Sequence, residues 1–123
     1  MERDTASIVA VVDDDDEVRD VLRVLLESAG HDVETFKSAG DFLSNARLDA
    51  IACLVVDQRM PDMSGVALIS ALASRGLTIP SLLITGAHDV EIARAAESLG
   101  AMRVLEKPLS SQELLRFVAF SVG

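Results

Sequence analysis

The centre of the chain contains the stretch Ile51-Ala52-Cys53-Leu54-Val55-Val56-Asp57. Six apolar residues, three of them β-branched, precede a single carboxylate. An apolar run of this length is typical of a strand that is buried on both faces, and such strands form parallel sheets. The stretch therefore predicts a central strand that ends in a charged side chain.

Four other segments have the composition of strands. Residues 8–12 and 81–84 are short apolar runs, residues 102–105 form a weaker one, and residues 31–35 alternate apolar and polar side chains. Apolar residues at helical spacing lie between these segments, and parallel strands need crossover connections that are usually helices. Five strand–helix units in succession predict one α/β domain over residues 1–123, with helices on both faces of a parallel sheet.

Capping residues and glycines indicate where the helices begin and end. The first helix is expected to end before Gly30, and a short second helix is expected to begin near Ser38. Asp89 is a candidate N-cap for a fourth helix that extends to Leu99. Residues 110–113 have the capping-box pattern that opens a fifth helix.

Composition and charge restrict the class of protein. The chain has 123 residues, half of them hydrophobic, and no apolar run approaches the ~18 residues of a membrane span. Its net charge of −9 repels nucleic acid and anionic membranes, so we expect neither DNA binding nor membrane binding by this chain alone. The single Cys53 cannot form an internal disulfide, and the start of the chain, Met1-Glu2-Arg3-Asp4, is not the basic start of a secretion signal. These features predict a cytoplasmic protein with a buried thiol.

Polar side chains follow four of the predicted strands. Asp13 and Asp14 follow the first strand, and the others are Asp57, Thr85 and Lys107. Ligands of parallel α/β sheets bind at the carboxyl ends of the strands. We therefore expect these five side chains to converge at one edge of the sheet.

Each of these residues also has a simpler explanation when it is considered alone. Acidic residues favour the start of a helix, aspartate and threonine cap turns, and most lysines are solvated. Together the five residues have a chemical purpose. Crowded carboxylates suit Mg²⁺, and an aspartate beside Mg²⁺ is a competent nucleophile for phosphoryl transfer. A lysine and a threonine would then bind the phosphoryl oxygens.

The residues around these side chains form four motifs. They are Asp13-Asp14, the stretch Val55-Val56-Asp57-Gln58-Arg59-Met60-Pro61-Asp62-Met63-Ser64-Gly65, Ile84-Thr85-Gly86 and Glu106-Lys107-Pro108. In order and spacing they resemble the receiver domain of bacterial two-component response regulators over essentially the whole chain. Residues 59–65 are especially similar to regulators of the nitrogen-fixation type.

The resemblance implies a flavodoxin-like fold with five parallel strands in the order 2-1-3-4-5. It also implies that Asp57 is the phospho-acceptor and that Asp57 and Asp14 ligate Mg²⁺ directly. Asp13 would bind the metal through water, and the backbone carbonyl of Arg59 would be a further ligand.

The remaining implied roles concern signalling. Thr85 would sense the phosphoryl group, Lys107 would pair with it, and the Lys107–Pro108 bond would be cis. The phosphoryl group would come from the phosphohistidine of a sensor kinase or a phosphotransfer protein. The chain would then be a signalling switch that catalyses its own phosphotransfer and slow autodephosphorylation. Phosphorylation would change the surface of the fourth helix, fifth strand and fifth helix, where a second copy, an output domain or a protein target would bind.

The sequence departs from the family pattern at two positions. Val104 stands where the family commonly has an aromatic residue that moves inward on activation, and Glu17 stands where this type often has proline. Val104 keeps open the alternative of a binding module that does not use phosphate. A phosphatase that uses Asp57 for steady turnover is disfavoured, since no carboxylate stands two residues on to serve as a general acid. Phe120 in the last helix belongs either to the end of the core or to an interface.

Overall fold

The structure is a computed structural model that describes residues 6–89, 91, 94 and 102–123. Its centre is a five-stranded parallel sheet in the order β2-β1-β3-β4-β5, which confirms the predicted order. The strands are β1 (Ile8–Val12), β2 (Asp32–Phe36), β3 (Ile51–Asp57), β4 (Ser81–Thr85) and β5 (Met102–Glu106). Each predicted strand is present, with boundaries that differ by at most one residue.

The described helices alternate with the strands. They are α1 (Asp16–Ser28), α2 (Ala39–Asn45), α3 (Gly65–Ser74) and the C-terminal helix (Ser111–Val122). Short 3₁₀ turns cover Leu48–Ala50 and Ala87–Asp89. The predicted fourth helix, which would extend from Asp89 to Leu99, lies largely outside the described residues.

The helix ends follow from local hydrogen bonds. Ser38 Oγ accepts from the backbone N–H of Asp41, and Ser110 Oγ accepts from that of Glu113, which confirms both predicted starts. Gly30 ends α1 with a φ of 94°. A positive φ of this kind is accessible to glycine at little cost, so the helix ends where the sequence predicted.

The core has two layers, one on each face of the sheet. β1, β3 and β4 are buried throughout, as their continuous apolar runs predicted. α1 and the C-terminal helix cover one face, where Leu26 and Leu114 are fully buried. α2 and α3 cover the other face, where Phe42 is fully buried and packs edge-on against Phe36. This two-sided cover leaves the carboxyl ends of the strands as the exposed edge at which polar side chains can gather.

Three further sequence predictions have an outcome in the structure. Cys53 is fully buried, and burial raises the pKa of its thiol to about 12. The Lys107–Pro108 bond is cis, as the resemblance implied. Phe120 is 86% exposed, so it is not part of the core.

None of the helices in the described segments is both long and apolar enough to cross a membrane.

Candidate functional site

Asp13, Asp14 and Asp57 form one carboxylate cluster at the edge of the sheet. β1 and β3 are neighbouring strands with Val12 opposite Val56. Asp13, which follows β1, therefore lies beside Asp57, the last residue of β3. One carboxylate oxygen from each of the three aspartates lies within 4.8 Å of the other two. The predicted convergence of these three residues is therefore confirmed by the register of two strands.

Burial determines the electrostatics of this cluster. Asp13 is 4% exposed and Asp57 is 7% exposed, whereas Asp14 is exposed. Burial is the main cause that raises the pKa of Asp57, and the ammonium of Lys107 acts in the opposite direction. Burial also raises the pKa of Asp13, with a smaller contribution from the charge of Asp57. A bound divalent cation would relieve the cost of holding these carboxylates ionised.

Thr85 and Lys107 complete the edge from the neighbouring strands. Lys107 Nζ lies 3.2 Å from Asp57 Oδ1. The backbone N–H of Lys107 donates to the carbonyl of Thr85 at 2.8 Å, which fixes the segment after β5 against the end of β4. Thr85 is fully buried, and its hydroxyl donates to the carbonyl of Gly86 at 3.2 Å. The structure thus brings all five predicted side chains to one edge.

The acidic run from Asp13 to Asp16 divides into two parts with different roles. Asp15 is the N-cap of α1, since its side chain accepts from the backbone N–H groups of Glu17 and Val18. Asp16 is exposed in the first turn, so the simpler explanation of a helix start holds for these two residues. Asp13 instead faces the cluster, where its Oδ1 accepts from the backbone N–H of Asp15 at 2.9 Å.

The loop between β3 and α3 has contacts that the sequence did not indicate. The Arg59 guanidinium pairs with Asp89 at 2.7 Å, and its side chain is 76% exposed. The carboxylate of Asp62 accepts from the backbone N–H of Gly40 at 2.8 Å, which joins the loop to the start of α2. The side chain of Gln58 is buried and bonds to the start of α3. These contacts fix the loop directly after Asp57.

Comparison with known proteins agrees with this geometry. The family model of the response regulator receiver domain matches residues 9–119. The chain belongs to the response regulator receiver family and is a receiver domain of two-component signalling.

Curated response regulators are similar in sequence to this chain. The chain is 39% identical over 112 residues to the response regulator protein TodT of Pseudomonas putida, covering 91% of this chain and 49% of TodT. It is 42% identical over 116 residues to the transcriptional regulatory protein FixJ of Azorhizobium caulinodans, covering 94% of this chain and 54% of FixJ. The chain thus spans about half the length of these curated relatives.

Solved structures have the same fold. The crystal structure of FixJ-N superposes with a TM-score of 0.83 at 36% identity, covering 94% of this chain and 93% of FixJ-N. The response regulator StyR superposes with a TM-score of 0.85 at 41% identity, covering 95% of this chain and 60% of StyR.

The raised pKa values predict how stability depends on pH. For Asp13 and Asp57, the folded protein holds protons more tightly than the unfolded chain does. Without metal, the contribution of these two groups is fully present below their unfolded pKa of about 4. This contribution falls as the pH rises through the raised folded pKa values. The free energy of unfolding, measured with urea across this pH range, should therefore fall less steeply with pH in Asp57→Asn than in the wild type. If the free energy of unfolding depended on pH equally in the two proteins, burial would not raise the cost of ionising Asp57.

Proposed function

We propose that Asp57 accepts a phosphoryl group from the phosphohistidine of a sensor kinase or a phosphotransfer protein. The observation that supports this most is the position of Asp57. Its carboxylate is nearly buried at the end of a central strand, beside two other carboxylates and 3.2 Å from an ammonium. A merely structural aspartate would not require this combination of acidic and basic neighbours.

The carboxylate cluster fits a hard divalent cation. We assign Asp14 and Asp57 as direct ligands of Mg²⁺, Asp13 as a ligand through water, and the Arg59 backbone carbonyl as a further ligand. When bound, Mg²⁺ supplies positive charge that neutralises the charge on the phosphoryl oxygens. The three carboxylate oxygens within 4.8 Å of one another support this assignment, since their mutual repulsion needs a counter-charge.

The chemical step is a substitution at phosphorus. A carboxylate oxygen of Asp57 forms a bond to phosphorus as the bond from phosphorus to the donor imidazole nitrogen breaks. The bonding electron pair stays on that nitrogen, so the donor ring, which carries a proton on its other nitrogen, leaves as neutral imidazole, and Asp57 becomes an aspartyl phosphate. Lys107 pairs with a phosphoryl oxygen, and Thr85 turns its hydroxyl from Gly86 to donate to another.

The aspartyl phosphate shifts the population of conformations toward an active surface. The phosphoryl group adds a charge of about −1.5 to −2, which gives the Thr85 hydroxyl a new acceptor. Val104 is partly buried in β5, and the active surface is proposed to include β5 and the C-terminal helix. Coupling would pass through packing at Val104 rather than through a moving aromatic ring.

The whole protein is proposed to be a cytoplasmic transcription regulator. TdiR and FixJ are named transcriptional regulatory proteins, and each is about twice as long as the part that this chain matches. An output domain or target would respond to the phosphorylated surface, and a second copy would pair there. Slow autodephosphorylation would end the signal. Residue 59, two positions after Asp57, is an arginine paired with Asp89, so no carboxylate at this position would speed hydrolysis.

The role of Lys107 leads to a specific expectation. Lys107→Met should retain Mg²⁺ binding but accept phosphoryl groups at least ~10-fold more slowly, because one charge-assisted contact is lost in the transition state. Intact mass after incubation with a small phosphodonor and Mg²⁺ measures this rate. Arg103→Met, on the exposed side of β5, is the matched control and should react like the wild type. Wild-type rates in Lys107→Met would remove Lys107 from the mechanism.

A further inference from the structure

Gln58 follows the phospho-acceptor directly and is buried, with 8% of its surface exposed. Its backbone N–H donates to the carbonyl of Ile84 at 2.9 Å, so it continues the pairing of β3 with β4 beyond Asp57. A buried amide needs hydrogen-bond partners, because an unsatisfied polar group is costly in the interior. The partners of Gln58 therefore indicate what its side chain does.

Both oxygens of Gln58 accept from the start of α3. The backbone carbonyl accepts from the N–H of Gly65 at 3.1 Å, and the side-chain Oε1 accepts from the N–H of Val66 at 3.0 Å. The loop of residues 59–64 thus leaves Gln58 and returns to it. The next two N–H groups of the helix bond to Ser64 instead. Ala67 donates to the Ser64 side chain, and Leu68 donates to the Ser64 carbonyl. Gln58 closes the loop, and Ser64 caps the helix.

The closed loop borders the carboxylate cluster. A surface depression is lined by Asp14, Gln58, Arg59, Met60, Pro61 and Ser64. It therefore contains a carboxylate of the cluster together with the first residues of the loop. The side-chain nitrogen of Gln58 has no hydrogen-bond partner among the described residues, while its oxygen is committed to Val66. The committed oxygen ties the side chain of Gln58 to the start of α3.

We propose that Gln58 is a positioning residue for phosphoryl acceptance: by closing the loop of residues 59–64, its side chain holds the Arg59 backbone carbonyl beside Asp14 and Asp57. This proposal rests on the proposed function, since it takes the Arg59 carbonyl as a metal ligand. Without the bond from Gln58 to Val66, the loop keeps its covalent ends but loses the side-chain anchor at its base. The carbonyl would then occupy a wider range of positions, and the metal would bind more weakly.

The test compares Gln58→Met with Gln58→Glu. Methionine has a similar length without the oxygen acceptor, whereas glutamate retains the acceptor for Val66. Calorimetric titration with Mg²⁺ alone should show roughly tenfold weaker binding for Gln58→Met, the effect typical of groups that orient a metal ligand. Hydrogen exchange at the Val66 amide should accelerate in the same variant. Gln58→Glu should recover the amide protection, and its Mg²⁺ affinity should be at least that of the wild type, because the added carboxylate also attracts the cation.

Ser64→Ala is the matched control, since it removes the neighbouring cap of the same helix without touching the anchor at Gln58. We expect its Mg²⁺ affinity to stay within about twofold of the wild type even though the helix start is weakened. Equal losses of affinity in Ser64→Ala and Gln58→Met would reduce Gln58 to a helix cap and overturn the proposal. Wild-type affinity in Gln58→Met, or recovery of Val66 protection without recovery of affinity in Gln58→Glu, would also overturn it.

These readouts separate this proposal from the proposed function. The rate of phosphoryl acceptance by Gln58→Met should be low at subsaturating Mg²⁺ and approach the wild-type rate at saturating Mg²⁺. If the wild type binds Mg²⁺ but accepts no phosphoryl group, the proposed function fails while the titrations still decide the role of Gln58. If the wild type does not bind Mg²⁺, both proposals fail.

Discussion

Replacing Asp57 with asparagine is expected to lower phosphoryl acceptance more than about 10³-fold, to below detection by intact mass. Asparagine keeps the shape of the side chain but lacks the carboxylate oxygen that attacks phosphorus. The same variant should be more resistant to unfolding than the wild type in metal-free buffer at neutral pH. This gain is expected because burial raises the pKa of Asp57, which means that its ionised form is costly in the folded state.

The control for this variant is Asp62→Asn in the following loop. Asp62 is exposed and accepts from the backbone N–H of Gly40 at 2.8 Å. Asparagine keeps an oxygen that can accept this bond, so Asp62→Asn removes a loop carboxylate and leaves both the loop contact and the phospho-acceptor Asp57 in place. Asp62→Asn should accept phosphoryl groups at a rate close to that of the wild type. A loss of acceptance in Asp62→Asn equal to that in Asp57→Asn would show that the loop, rather than the nucleophile, limits the reaction.

Replacing Gly65 with alanine is expected to lower the stability of the fold more than any of the other substitutions named. A Cβ atom at Gly65 would lie 2.8 Å from the backbone oxygen of Asp57 and would also overlap the end of the Leu83 side chain. Leu83 can rotate away, but the Asp57 carbonyl belongs to a buried central strand and cannot move cheaply. We expect a loss of about 3 kcal/mol in the free energy of unfolding, measured by urea denaturation.

Gly86→Ala is the comparison for this substitution. A Cβ at Gly86 would have no heavy atom within 4 Å, and the residue does not have a positive φ. Its free energy of unfolding should therefore change by less than about 1 kcal/mol. A similar loss in both variants would mean that the close approach of α3 to β3 does not determine the cost.

The sequence pattern was sufficient to predict the five strands and the carboxylate cluster. Continuous apolar runs identify strands that are buried on both faces, and polar residues at their ends must meet at one edge. Asp13 and Asp57 are neighbours because each is the first polar residue after the apolar run of one of two adjacent strands. The strand order itself came from the resemblance, since local patterns do not specify which strands pair.

Contacts between distant loops could not be predicted in the same way. Arg59 and Asp89 are 30 residues apart, and neither lies in a periodic pattern. Gln58 lies at the start of a loop of mixed polar and apolar residues, so its burial depends on where α3 begins relative to β3. That distance follows from the close approach at Gly65, which is a property of the packed structure.

The central claim is tested most directly by locating the phosphoryl group on the chain. The wild type would be incubated with a small phosphodonor and Mg²⁺, reduced with borohydride to trap an aspartyl phosphate, and digested for peptide mass analysis. We predict one modified residue, Asp57, and no modification when Mg²⁺ is removed by a chelator. Modification at Asp13 or Asp14 instead, or at Asp57 to the same extent without Mg²⁺, would contradict the proposed mechanism.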